Sequence, residues 1–75
     1  MANRDYPILI EPLSDADGGG FLATAPDLPG CMSDGGTREE AARNIADAIA
    51  AWIEEAVELG RSVPAPSLHL ASAGK

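Results

Sequence analysis

Apolar residues recur at helical spacing through the second half of the chain and predict one long amphipathic helix. Thr37 and Glu40 have the spacing of a capping box, in which each side chain accepts a hydrogen bond from the other residue's free backbone N–H. Gly60 is placed to adopt the left-handed conformation that ends many helices. The helix is therefore predicted over residues 37–59. Its apolar face contains Ala41, Ile45, Ala48, Ile49, Trp52, Ile53 and Ala56, and its opposite face contains Arg43, Asp47, Glu54 and Glu58.

Three short apolar segments before the helix predict strands over residues 5–11, 20–25 and 31–34. Pro7 has no N–H to donate to a neighbouring strand, so the first strand is expected at an edge of the sheet. Residues 14–20 consist of Ser, Asp, Ala and Gly, a turn composition that would join the first two strands as a hairpin. Residues 67–71 are the candidate for a fourth strand. This β-β-β-α-β order predicts an α+β fold in which one helix covers one face of a three- to four-stranded antiparallel sheet.

The small size of the chain favours self-association. Its 75 residues are enough for a single domain over 1–75, and a domain of this size buries only about 60% of the surface that its unfolded chain exposes. One cysteine cannot form an internal disulfide. Because one helix covers only one face of the sheet, the other face would leave apolar side chains exposed, with Leu9 and Leu22 as the candidates. We expect a homodimer or a dimer of dimers that buries these two residues.

The charge of the chain argues against nucleic-acid binding. Twelve acidic and five basic side chains give a net charge of −7, and the basic residues are scattered at positions 4, 38, 43, 61 and 75. No basic stripe is available to neutralise phosphates, so the chain is not expected to bind nucleic acid directly. The acidity has two interpretations, general solubility or acidic side chains that face a basic partner. A single cysteine, no secretion signal and no apolar run of membrane-spanning length predict a cytoplasmic protein.

Two residue groups suggest chemistry but do not complete a site. Asp15 and Asp17 could begin a calcium-binding loop, but the twelfth position, which requires Glu, is Pro26. Cys31 could be a nucleophile, but the one histidine of the chain that could act as its base is His69, far along the sequence. No catalytic, cofactor-binding or metal-binding residues are therefore predicted, and the chain is not expected to be an enzyme.

The glycines before the helix raise one more possibility, an anion bound by free amides at the helix start. Glu39 and Glu40 already place negative charge in the first turn, and no lysine follows as a phosphate-binding loop requires. Capping is therefore the better explanation of Gly35-Gly36-Thr37.

The turn between the second and third strands, together with the helix start, identifies a family. The segments that carry the resemblance are Tyr6-Pro7-Ile8-Leu9-Ile10-Glu11, Gly19-Gly20-Phe21, Pro26-Asp27-Leu28-Pro29-Gly30-Cys31, Gly35, Thr37, Glu39-Glu40-Ala41, Asn44 and Ala48. This pattern resembles the HicB-like antitoxins over nearly the whole chain. The resemblance implies a partial ribonuclease H-like fold, without the converging carboxylates that ribonuclease chemistry needs.

The resemblance also implies a function. HicB-like antitoxins bind and block HicA-type toxins, which are small basic proteins that cleave messenger RNA. Acidic side chains would suit such a partner, and the candidates are Asp27, Asp34, Asp47, Glu54 and Glu58. Many family members also carry a C-terminal DNA-binding domain, and none is expected within these 75 residues. The alternative is a stand-alone, self-assembling HicB-like domain with a structural or regulatory role and no toxin partner.

Overall fold

A computed structural model describes residues 6–67, which form a three-stranded antiparallel sheet covered on one face by one helix. The strands are β1 (Leu9–Pro12), β2 (Phe21–Thr24) and β3 (Met32–Gly35), in the order β1-β2-β3, and the helix is α1 (Arg38–Glu58). A short 3-10 helix, Asp15–Asp17, lies in the loop between β1 and β2. The α+β fold class is confirmed. The predicted fourth strand over 67–71 falls almost wholly outside the described residues, and Ser67 itself is not in a strand.

The first strand is shorter than predicted. Within residues 6–67 it begins at Leu9 and pairs only with β2, so β1 and β3 are the two edges of the described sheet. Pro7 lies just before this strand and Pro12 is its last residue. Neither proline can donate to a ladder, which explains both the edge position and the short length.

The start of α1 follows the predicted capping box with one difference. The Thr37 hydroxyl accepts a hydrogen bond from the Glu40 N–H at 3.0 Å, as the sequence predicts. The Glu40 carboxylate, however, accepts from the N–H of Gly36 instead of that of Thr37. The two bonds still fix the first turn to the end of β3.

The end of α1 is a Schellman motif built on Gly60. Gly60 has φ +72°, its N–H donates to the Val57 carbonyl, and the Arg61 N–H donates to the Ala56 carbonyl at 2.8 Å. These are the two bonds that define the motif. The predicted helix stop at Gly60 is confirmed.

The core lies between α1 and the covered face of the sheet. It is formed by residues that are at most 4% exposed, and Leu28, Ile45 and Ile49 are its largest fully buried side chains. Along the sheet, Ala23 is fully buried between its cross-strand partners Ile10 and Ser33. All seven residues of the predicted apolar stripe of the helix are buried or half-buried, so its facing is correct.

Gly35 permits a close approach of α1 to the sheet. A Cβ atom at this position would lie 2.5 Å from the backbone nitrogen of Ala41 and 2.8 Å from the carbonyl carbon of Glu40. Both neighbours are backbone atoms of the first helical turn, so they cannot rotate away. The Asn44 side chain adds a hydrogen bond of 2.7 Å to the Asp34 carbonyl. The helix start is thus seated directly on the end of β3.

The segment after the helix returns across the molecule and is held at two points. The Tyr6 hydroxyl donates to the Pro64 carbonyl at 2.6 Å. The Asp27 carboxylate accepts from both the N–H and the hydroxyl of Ser67, at 2.6 and 2.9 Å. We call these two contacts the clasp.

Candidate partner-binding surface

The turn formed by residues 26–31 is a structural element of the core. Two successive backbone turns close it, through hydrogen bonds of 3.0 Å from Leu28 to Ala25 and from Cys31 to Leu28. Leu28 points inward and is 1% exposed, so the turn contributes a core side chain that the sequence analysis did not identify. Gly30 has φ +78°, as expected for a residue that closes such a turn.

The helix contacts the 26–31 turn through the side chain of Trp52. The indole N–H of Trp52 donates to the Pro29 carbonyl at 2.9 Å, and the ring packs against the core while remaining only partly buried. Trp52 therefore lies at the margin of the core, where its N–H can reach a backbone acceptor.

Asp27 lies in the same turn, but its carboxylate already has partners. Both of its oxygens accept hydrogen bonds from Ser67 in the clasp. Asp27 therefore has an internal structural contact that the sequence analysis did not foresee. Its predicted contact with a partner stays a prediction.

The face of the sheet away from the helix is uncovered within residues 6–67, and we call it the open face. Its side chains follow from the strand register, which pairs Leu9 with Thr24 and Thr24 with Met32, and pairs Glu11 with Leu22 and Leu22 with Asp34. Leu9 is 51% exposed and Met32 is 55% exposed. Leu22 is half-buried at the centre, between the exposed carboxylates of Glu11 and Asp34. The open face thus combines an apolar centre with negative charge.

The structure places Leu9 and Leu22, the predicted oligomer contacts, on this open face. Asp34 lies there as well, although it was selected only for its charge. Met32 and Glu11 share the face and were missed as binding candidates. The signal available in the sequence was strand alternation, which places every second residue on one side.

The three helix acids lie on the opposite side of the molecule. Asp47, Glu54 and Glu58 are exposed on the outward surface of α1. The sheet separates this surface from the open face, so the five predicted partner-binding acids do not form one site. A partner that binds one of these surfaces need not touch the other.

Within residues 6–67 the candidate chemical groups do not form a reactive site, and His69, the possible base for Cys31, lies outside the described residues. Burial raises the pKa of the Cys31 thiol, which is 4% exposed, so the thiol keeps its proton and is a poor nucleophile. Within residues 6–67, no three His, Cys, Asp or Glu side chains are placed to hold a metal ion. Asp15 and Asp17 belong to the exposed 3-10 helix, where the hydroxyl of Ser14 contacts Asp17.

An open polar groove of about 450 Å³ lies beside the helix start. It is lined by Gly18, Gly19, Gly20, Asp34, Gly35, Gly36, Glu40 and Asn44. The Glu40 carboxylate opposes an anion, and the amides of Gly36 and Glu40 are already bonded within the cap. Capping therefore accounts for Gly36, and the close contact with α1 accounts for Gly35. In the part of the chain that the structure describes, no helix has the length and apolar character needed to cross a membrane.

Comparison with known proteins identifies relatives along nearly the whole chain. A family model described as the HicB-like antitoxin of bacterial toxin-antitoxin system matches residues 6–73. Antitoxin HicB 1 of Photorhabdus laumondii is 34% identical over 66 residues, which are 88% of this chain and 41% of that protein. A UPF0150 protein of Synechocystis is 41% identical over 64 residues, 85% of this chain and 77% of that protein.

An uncharacterised protein of Haemophilus phage HP1 is 41% identical over 59 residues, 79% of this chain and 41% of that protein. The chain thus spans about two fifths of the phage protein and of the Photorhabdus antitoxin. No solved structure matches the chain significantly. The partial ribonuclease H-like description of the fold stays a prediction.

Proposed function

Because the chain belongs to the HicB-like antitoxin family of bacterial toxin-antitoxin systems, we propose that it is an antitoxin that binds and neutralises a small basic toxin of the HicA type. The observation that carries the proposal is the family match over residues 6–73, which includes all the described elements. The Photorhabdus relative is itself named an antitoxin, which supports the same role.

In the proposed mechanism, the chain blocks the toxin sterically and electrostatically and takes no part in a chemical reaction. A toxin that cleaves messenger RNA must present positive charge to the phosphate backbone. A chain with a net charge of −7 would be drawn to that surface, and once bound it would exclude the RNA. The antitoxin would contribute no catalytic group and would act in the cytoplasm, where the toxin meets its RNA.

Co-expression with the toxin gene beside this chain's own gene tests the proposal. We expect growth arrest by the toxin alone and recovery when the chain is co-expressed. An inactive toxin with the chain is the control for toxicity of the chain itself. Growth arrest that persists while the chain accumulates in folded form, or the absence of any such neighbouring gene, would refute the toxin-neutralising role.

A second candidate function is a self-assembling domain with a structural or regulatory role. Its supporting observation is the similarity to UPF0150 proteins of comparable length, since the chain covers 77% and 88% of two from Synechocystis. The exposed Leu9 and the half-buried Leu22 would then be contacts between copies. Sedimentation velocity at micromolar concentration tests this function, and a monomeric mass would exclude it.

A further inference from the structure

We propose that the open face of the sheet, and not the outward surface of the helix, binds the basic partner. This inference rests on the function proposed above and assigns it to one surface. The surface consists of two rows of side chains across the three strands, Leu9-Thr24-Met32 and Glu11-Leu22-Asp34. The partner that fits it has an apolar contact patch flanked by lysine or arginine.

The charge of the open face is of one sign. Glu11 and Asp34 occupy the two edge strands on either side of Leu22. Their Cα atoms are therefore about 10 Å apart, twice the usual spacing between neighbouring strands. Three arginines lie within residues 6–67, and none belongs to the open face. Arg38 stacks over the ring of Phe21 at 4.8 Å, on the side of the helix, and Arg43 and Arg61 lie in and after the helix. The positive charge that neutralises these two carboxylates would therefore have to come from outside residues 6–67.

The apolar part of the open face explains why the partner is a protein surface. Leu9 and Met32 leave about half of their area in water, at 51% and 55%, beside Leu22 on the central strand. Their burial would supply the hydrophobic centre of an interface, and the carboxylates would form its polar border. Removing water from the centre also strengthens the ion pairs at the border.

A second copy of the chain is a poorer occupant of the same face. Placing two open faces together would bring Glu11 and Asp34 of both copies into one interface, four carboxylates without a basic side chain from residues 6–67. Like charges apposed in this way oppose association. A cationic partner meets the same two carboxylates with attraction, which is why we assign the surface to it.

The helix surface has a weaker claim. Asp47 is one turn from Arg43, at the i, i+4 spacing that brings opposite charges together on a helix. Between Asp47 and Glu54 the exposed apolar residues of this surface are alanines, and its larger exposed apolar side chains, Val57 and Leu59, lie at the C-terminal end of the helix. A solvated surface accounts for the helix acids.

Matched double substitutions separate the two surfaces. The charge pair Glu11→Lys/Asp34→Lys is compared with Glu54→Lys/Glu58→Lys, which makes the same change of +4 on the helix. The apolar pair Leu9→Ser/Met32→Ser is compared with Val57→Ser/Leu59→Ser, whose residues are 65% and 57% exposed. All four variants must melt within about 4 °C of the parent, which shows that the fold is kept. Binding is measured by calorimetry and biolayer interferometry against a catalytically inactive form of the neighbouring gene's toxin.

We expect each open-face variant to weaken toxin binding at least tenfold and each helix variant to change it less than threefold. The association rate of the parent should fall as salt rises, and the Glu11→Lys/Asp34→Lys variant should lose most of that dependence. Equal losses from both surfaces, or a larger loss from the helix variants, would overturn the surface assignment and leave the antitoxin function standing. A parent chain that does not bind the toxin at all would refute both proposals.

Sedimentation velocity of the same proteins tests the competing occupant. We expect Leu9→Ser/Met32→Ser to leave the mass of the chain in solution unchanged. Our assignment is wrong if three results occur together: the parent is a dimer, this variant is a monomer, and its toxin affinity is unchanged. In that case the open face is a contact between copies of the chain.

Discussion

Replacing Gly35 with alanine should destabilise the domain strongly. Among the described glycines whose backbone is not left-handed, it should be the most destabilising site for this substitution. The added Cβ would lie 2.5 Å from the Ala41 nitrogen, whereas ordinary contacts between non-bonded heavy atoms are about 3.5–4.0 Å. The end of β3 and the first turn of α1 would therefore have to separate by about 1 Å. That movement would strain the bonds between Thr37 and Glu40 and between Asn44 and the Asp34 carbonyl.

Added atoms in a well-packed site usually cost about 1–3 kcal/mol, and rigid backbone on the opposing side places Gly35→Ala at the top of that range. For a domain of this size 1 kcal/mol corresponds to about 4–8 °C, so we expect the melting temperature to fall by about 12 °C or more. The assay is thermal unfolding followed by circular dichroism.

Gly36→Ala is the matched control. The nearest atom to its Cβ would be the Glu40 Oε1 at 3.2 Å, the mobile end of a long side chain that can give way. We expect this variant to melt within about 6 °C of the parent, a cost of about 1 kcal/mol or less. If Gly35→Ala melts no lower than Gly36→Ala, the tight contact between β3 and α1 does not exist and the reasoning is refuted.

Three further predictions concern the 26–31 turn and its contacts. Trp52→Ala should lower the free energy of unfolding by about 2 kcal/mol, less than the 3–5 kcal/mol of a fully buried tryptophan, because the ring is only partly buried. Trp52→Phe should restore about half of this loss by keeping the packing without the bond to Pro29. A fall in melting temperature of less than 4 °C for the alanine variant would contradict the prediction. Asp27→Ala should speed amide hydrogen exchange at Ser67 at least tenfold while global stability falls by less than about 1 kcal/mol; unchanged exchange would show that the clasp is not formed in solution. Native Cys31 should react with a disulfide reagent at pH 8 at least tenfold more slowly than in the unfolded chain, because burial raises its pKa and lowers the thiolate fraction; equal rates would show an exposed thiol.

The sequence predicts the parts of this fold that are governed by local rules. The bounds of α1 follow from side-chain caps at Thr37 and a left-handed glycine at Gly60, both of which act within a few residues. The apolar stripe is equally local, because helical periodicity alone places Ile45 and Ile49 on one side.

The sequence does not predict features that depend on contacts between distant residues. Nothing near Leu28 indicates that a turn between two prolines directs its central side chain into the core, because the space it fills is made by the helix and the sheet together. The contact of Asp27 with Ser67 spans 40 positions. Which side chains form the open face depends on the strand register, because a one-residue shift of a strand would move its side chains to the opposite face of the sheet.

The clasp has a consequence for the order in which the molecule folds. Every strand pairing within residues 6–67 joins neighbours in the sequence, and α1 follows at once, so most of the described structure can form with little loop-closure entropy. The bond from Tyr6 to Pro64 spans 58 positions, the widest separation among the side-chain hydrogen bonds of residues 6–67. Loop-closure entropy therefore favours its formation after the sheet and helix have assembled. During refolding, the sheet and helix could therefore reach nearly their final form before the clasp closes.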